Sequence, residues 1–386
     1  MQDKKNGIVD WIHLVEWEAC DNDDTKFKRI HGIVTELCFE KVISKSIGSS
    51  DTTNLVSGWC YKSDLKTRYR DWFILWRDLT PTSNENSRYP NISKEINRKF
   101  AKSLLRSRPN DKIFAVSYQI EESSWNKGIL SLSWTISEVE LNNNDIKTSP
   151  RQQRAKEYQT SITKSINIRL EKVSSSAELR IDNFLNRLSE EELRKILCTR
   201  CFMNFSGFYL SDIDGIGIDH ENNGFILEFK RKNPAKGPVF SLSIPERSSP
   251  TIQDYNSEID GFRKMSELEI KSVLDDPTRF KKIYDQSGFF GLDSSHYLNV
   301  EVCREILFNY RYIIWNSSKS NSSELVNFDF SPKYKPEIKE RQVFHTSFDG
   351  LSTTKPEDSG TYFRKRRYQL MINASSFHEL IYRQNF

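Results

Sequence analysis

Two short runs near the middle of the chain carry acids where apolar strands ordinarily hold none. Ser211-Asp-Ile-Asp-Gly-Ile-Gly-Ile218 and Phe225-Ile-Leu-Glu-Phe-Lys230 both read as strands, joined by the polar turn Asp219-His-Glu-Asn-Asn223. Strand alternation puts Leu210, Asp212, Asp214, Ile216 and Ile218 on one face. In the second run Glu228 and Lys230 share a face with Ile226, while Phe225, Leu227 and Phe229 occupy the other. A carboxylate inside such a run is costly to bury unless a partner compensates it. Pairing of the two runs as a hairpin brings Asp214 alongside Glu228 and Lys230 at one end of a sheet.

That grouping suits phosphodiester hydrolysis. Carboxylate oxygens bind hard cations such as Mg²⁺. A bound cation lowers the pKa of its water and offsets charge in the transition state. The Lys230 ammonium can orient or help deprotonate the attacking water and contact the phosphate. The backbone carbonyl of Phe229 can complete the metal shell. The tripeptide Asp/Glu-x-Lys carries little weight by itself, because it starts at positions 3, 24, 64, 145, 228, 269 and 337. Glu228-Phe-Lys230 stands apart because it lies in an apolar run directly after another strand with an internal acid. The competing reading is a structural salt bridge, in which Asp, Glu and Lys neutralise one another without metal.

Around this pair the chain reads as three parts. Residues 1–150 form an N-terminal α+β domain, with strands expected at 7–14, 30–38, 72–76, 112–117 and 128–139 and a helix at 92–106. Residues 151–320 hold helices at 153–171 and 176–199, strands at 208–218 and 224–230, an extended piece at 289–292, a helix at 297–308 and a strand at 310–315. Within this part, 231–290 is long, polar and proline-rich and reads as an insertion with one helix at 255–274. Residues 321–386 read as a C-terminal extension after a serine-rich linker at 316–324.

The run Asp214…Glu228-Phe-Lys230 resembles the PD-(D/E)xK nuclease superfamily, which includes many type II restriction endonucleases. The superfamily core runs helix, three strands, helix, strand, and the match covers roughly 176–316, with 202–209 as the candidate first strand. The resemblance implies a restriction-endonuclease-like mixed sheet flanked by helices, α/β in its core and α+β overall. It also implies Mg²⁺-dependent cleavage of double-stranded DNA, with Mn²⁺ able to substitute. No proline precedes the acid here, so Asp212 is a rival of Asp214 for the metal. An acid from the first helix often joins the site in this superfamily, and Glu178 is the candidate. A superfamily helix often lends a polar side chain as well, which points to His296 in Asp293-Ser-Ser-His296; the bland alternative is a local hydrogen bond. One core makes one cut, so cleavage of both strands calls for a homodimer or larger assembly.

The net charge of +4 permits a nucleic-acid partner without requiring one. Candidate contacts are Arg231 and Lys232, extending the acid-bearing strand, and Arg106 and Arg108 beside aromatic segments; each also reads as an ordinary solvated charge. Two basic stretches, 151–172 and 364–367, are open to the same two readings. The cysteines, six in number, offer one C-x-x-C pair, Cys198 and Cys201, with no second pair to complete a zinc site, so packing is expected there and a reducing cytoplasm for the protein. No run is long and apolar enough for a membrane span or a signal peptide. The expected activity is that of a sequence-specific restriction endonuclease. The alternatives are a non-catalytic nucleic-acid-binding or assembly protein, and a repair or defence nuclease acting on RNA or structured DNA.

Overall fold

The computed structural model describes residues 55–63, 69–78, 95–121, 129–142, 145–149, 166–169, 198–199, 202–203, 210–219, 221–245, 250–316, 337–343, 348–354 and 367–379. The chain divides into two compact units, 1–227 with 320–334 and 228–319 with 335–386. Both mix strands and helices, so the architecture is α+β with several antiparallel or mixed sheets. Among the described residues no helix is long and apolar enough to cross a membrane. The expected strands at 7–14 and 30–38, the expected helix over 176–197, the boundaries near 150 and 320, and most of both basic stretches lie outside the described residues.

The first unit contains β1 (Leu55–Val56), β2 (Trp59–Ser63), β3 (Arg70–Asp78), α1 (Glu95–Ser107), β4 (Lys112–Ile120), β5 (Ile129–Asn142), β6 (Asp145–Ser149), β7 (Ile166–Arg169), β8 (Ser211–Ile213), β9 (Gly215–Ile218) and the start of β10 (Gly224–Lys232). Its larger sheet has the order β6-β5-β4-β3-β2-β8, with β7 also on β5. Strands β3 and β4 are parallel, and the connection between them carries α1, as a parallel pair requires a crossover. Helix α1 forms where apolar residues recur at helical spacing, and it buries Ile96, Phe100, Ala101 and Leu104. Phe100 meets the rings of Trp59 and Trp72 edge-on at 4.9 and 5.7 Å. The central strand β4 buries Ile113, Phe114, Ala115 and Val116 in succession, the mark of a strand covered on both faces.

The sequence expectation changes at three places in this unit. Residues 166–169, expected within a helix over 153–171, form β7, antiparallel to β5 with Ile168 opposite Leu130. Isoleucines two residues apart suit a pleated strand, and pairing to β5 overrides the helical spacing. Residues 202–203, offered as the start of a core strand, are helical, and Phe202 packs 5.5 Å from Phe73 and 6.0 Å from Trp134. The single strand expected over 208–218 is broken at Asp214, which sits in a bend. On one side β8 pairs with β2, setting Asp212 opposite Cys60; on the other β9 pairs with β1 and β10. Asp212 and Asp214 therefore do not share one pleated face.

The expected hairpin forms. Strand β10 pairs with β9 from Gly224↔Ile218 to Leu227↔Gly215. Its turn is closed by Asp219, whose Oδ1 accepts from the N–H groups of Glu221 (3.1 Å) and Asn223 (2.8 Å). Asn222 takes the left-handed conformation at φ 64°, which asparagine tolerates better than most residues.

The second unit begins within β10, at Glu228. It contains β11 (Val239–Leu242), α2 (Ile252–Phe262), α3 (Glu267–Leu274), β12 (Phe280–Ile283), β13 (Phe289–Asp293), α4 (Ser294–Ile306), β14 (Asn309–Asn316), β15 (Glu337–Gln342), β16 (Gly350–Thr354), β17 (Arg367–Asn373) and β18 (His378–Glu379). One sheet runs β10-β14-β15-β18 and the other β12-β11-β16-β17-β13. The expected insertion at 231–290 thus supplies two strands of a five-stranded sheet. The helix expected at 255–274 is two helices. Thr251 with Asp254 and Ser266 with Glu269 form capping boxes, so Ser266 starts a new helix where the first has run out. Phe262 stacks on Tyr368 at 5.5 Å, tying α2 to β17.

Candidate active site

In the second unit the acid of the Glu-x-Lys tripeptide is a buried charge with its own retinue. The Glu228 side chain is 2% exposed. Residues two apart on a strand face the same way, and Lys230 accordingly places Nζ 2.5 Å from Glu228 Oε1. The other oxygen, Oε2, lies 3.2 Å from His296 Nδ1 and accepts from the Tyr310 hydroxyl at 3.4 Å. His296 comes from the first turn of α4 and Tyr310 from β14, the neighbour of β10 in the sheet. Helix α4 ends at Leu307 in the left-handed conformation, φ 59°, which turns the chain at once into β14. Neither Glu228 Oε1 nor His296 Nδ1 has a partner in hydrogen-bond geometry, so these two contacts are close but poorly aimed. Burial pushes the Glu228 carboxyl up. The charges of His296 and Lys230 and their contacts outweigh it and hold the group below the usual carboxylate range.

A second acid stands at the end of the next apolar strand. Asp293 closes β13 and occupies the N-cap position of α4, yet its side chain makes no cap hydrogen bond. Instead Oδ1 accepts from Gln369 Nε2 at 2.5 Å, across the pair Asp293↔Gln369 of β13 and β17. Lys232, two residues beyond Lys230, turns inward and donates to the carbonyl oxygen of Gly291 at 2.6 Å. The Tyr312 hydroxyl donates to the same oxygen, also at 2.6 Å, filling its two lone pairs. Burial pushes the Lys232 ammonium down, against the attraction of Asp293 and Glu228. For Asp293 burial acts upward, but Lys232, Gln369, His296 and Lys230 together hold its carboxyl below the ordinary value. Gly291 lies close under this side chain: a Cβ there would stand 2.5 Å from Gln369 Oε1, and Gln369 would have to shift.

The other expected site residues fall as follows. Asp214 and Asp212 belong to the first unit, each half-buried, and burial, aided by the Asp212 charge, pushes the Cys60 thiol up. Phe229 is buried in β10. Glu178 and the side chain of Arg231 lie outside what the structure describes. Arg106 is exposed in the last turn of α1. Arg108 is engaged within its own unit: its Nε donates to Asp111 Oδ2 at 2.7 Å. Asp111, 1% exposed at the side chain, also accepts from the Trp72 indole at 2.8 Å and from the Arg70 N–H at 3.1 Å. Cys198 is buried and unbridged, while Cys201 lies outside the described residues.

Sequence reasoning passed over Asp293, Tyr310 and Gln369. For Asp293 the signal was present, since Phe289-Phe-Gly-Leu-Asp293 is another apolar strand ending in an acid. Among the described residues no three His, Cys, Asp or Glu side chains are gathered as a metal site. No family model, no curated protein and no solved structure matches the chain.

Proposed function

We propose that the chain is a Mg²⁺-dependent endonuclease that hydrolyses phosphodiester bonds of double-stranded DNA, built on a restriction-endonuclease-like core. What carries the reading is the buried Glu228 with Lys230 on the same strand and His296 and Tyr310 on its other oxygen. The catalytic set is Asp214, Glu228 and Lys230, with Asp212 as the alternative to Asp214. The donor chemistry fits a hard cation in that Glu228 supplies a buried anionic oxygen, which here lies against Lys230. Asp214 and the Phe229 carbonyl are the further oxygen donors of this reading. The cation, when bound, supplies an acidified water and offsets negative charge at phosphorus. Lys230 supplies a fixed ammonium beside that carboxylate to hold the water or a phosphate oxygen. His296 and Tyr310 stand at the other oxygen of Glu228, Oε2, with the Tyr310 hydroxyl donating to it. A sequence-specific restriction enzyme acting as a homodimer in the cytoplasm is the role that fits best.

The test is a plasmid digest with Mg²⁺ or Mn²⁺ against Ca²⁺ and EDTA, run on the wild type and on Asp214→Ala, Glu228→Ala and Lys230→Ala. Each substitution is expected to lower cleavage on the order of a hundredfold or more while leaving the fold intact. Full cleavage by Lys230→Ala protein sinks the assignment. A second reading, a nucleic-acid-binding protein without catalysis, draws on the same cluster, because Lys230 is already ion-paired to Glu228. A mobility shift with no cutting under any metal favours it. Cutting confined to RNA or branched DNA points to a repair or defence nuclease.

A further inference from the structure

We propose that Asn223-Gly224, at the tip of the β9–β10 hairpin, is a self-modifying site at which Asn223 loses ammonia and becomes an aspartyl or isoaspartyl residue. Asparagine followed by glycine suits this chemistry, because glycine has no side chain to crowd the approach of its own backbone nitrogen. Asn223 is exposed and ends the turn, where a hairpin opens at least cost. There the Asn222 N–H donates to the Asp219 carbonyl at 2.9 Å and the Asp219 N–H to the Asn223 carbonyl at 3.0 Å. By the alternation of an antiparallel ladder the next pair, Gly224↔Ile218, exchanges no hydrogen bonds, so the Gly224 nitrogen is not tied to β9. When the turn opens, that nitrogen bonds to Asn223 Cγ. The Cγ–Nδ2 bond breaks, and ammonia leaves with the proton of the Gly224 N–H. Water then opens the cyclic imide. Cleavage at Cγ gives aspartate; cleavage at the main-chain carbonyl gives isoaspartate, whose backbone runs through the side chain. The reaction consumes only water and is independent of the catalytic reading of Glu228 and Lys230.

The surroundings give the change a structural consequence. Asn223 Nδ2 donates to Glu221 Oε2 at 3.1 Å and to Asp219 Oδ2 at 3.5 Å, so the amide bridges two carboxylates. Its replacement by a carboxylate removes that donor and sets a further negative charge against both acids. Like charges at this range repel. The repulsion falls on Asp219, the residue whose Oδ1 closes the turn through the N–H groups of Glu221 and Asn223. Modification therefore loosens the hairpin that begins β10.

The test incubates the purified full chain in mildly alkaline buffer, digests it with trypsin and sequences the peptide 201–230 by mass spectrometry. In the wild type Asn223 should gain about 1 Da, with isoaspartate present beside aspartate. Asn223→Gln, whose longer side chain closes an imide far less readily, should stay unmodified at that position. A folded wild type that stays unmodified at Asn223, under conditions in which the urea-unfolded chain reacts there, overturns the proposal. The consequence is read from Asn223→Asp, the aspartyl product, against Asn223→Ala, which removes the donor without adding charge. Asn223→Asp should melt below Asn223→Ala at low salt, and the gap should close at about 1 M salt, where the repulsion is screened. An Asn223→Asp protein as stable as Asn223→Ala, or a gap that ignores salt, overturns the charge account. If Asn223→Asp does not fold at low salt, folding restored by high salt supports that account and failure to restore it overturns it.

Discussion

Glu228 is a charge kept in place by other charges, and that makes it sensitive to acid. Its carboxyl is held below the ordinary glutamate value of 4.5, with burial opposing and the charges of His296 and Lys230 prevailing. The folded protein therefore binds this proton less readily than the unfolded chain. The stabilisation is complete above pH 4.5 and drains away as pH falls through the depressed folded value. Between about pH 5 and pH 3, the urea midpoint of the wild type should fall more steeply than that of Glu228→Gln. Parallel curves would show that the ion pairs contribute nothing. Asp111 gives a larger effect at neutral pH. Its carboxylate satisfies an indole, a backbone N–H and a guanidinium at once, so Asp111→Ala should cost about 3–5 kcal/mol by urea denaturation. At this scale the sequence told of Glu228 and Lys230 sharing a face, because a two-residue period is a local property. It did not tell of Tyr310 or Asp293 as companions, because each comes from a strand many residues away, and it reached His296 only through the resemblance. Arg108, offered as a nucleic-acid contact, is ion-paired to the buried Asp111 three residues on.

Elements were legible where one local rule dominated. Helix α1, expected at 92–106, runs Glu95–Ser107 because four apolar residues recur at its period. The hairpin of β9 and β10 followed from its polar turn. The misses share a cause, which is that a partner strand or a cap decided the outcome. Strand β7 exists through its pairing with β5, and the break at Asp214 arises where neighbouring residues join different partners. The split between α2 and α3 was written locally in Ser266-Glu-Leu-Glu269, a capping box inside what looked like one amphipathic run. Ser266→Ala should cost about 1 kcal/mol and lower the Tm by a few degrees. Gly288→Ala should cost more, about 1–3 kcal/mol, because φ is +80° there and the added Cβ would stand 2.9 Å from the Ala235 carbonyl oxygen. An unchanged urea midpoint for either variant would refute the corresponding account.

For the whole molecule the relevant quantity is charge, a net +4 from 57 Lys and Arg against 53 Asp and Glu. If the partner is duplex DNA, affinity should fall as salt rises, with a log–log slope set by the number of phosphates engaged. Titration of a labelled duplex between about 50 and 200 mM salt measures it, and a flat response would speak against DNA as the partner. Fold class was legible from the mixture of short strand-like and helical runs. The grouping into two units was not, because the division falls inside the continuous strand β10, between Leu227 and Glu228, where composition does not change. The order of the five-stranded sheet has one more implication. Strands β16 and β17 lie between β11 and β13, although they are made later than both. During synthesis the strand bearing Glu228 and Lys230 leaves the ribosome well before Gln369 exists to hold Asp293. The order β12-β11-β16-β17-β13 is thus closed, and Asp293 given its Gln369 partner, only after β17 has been translated.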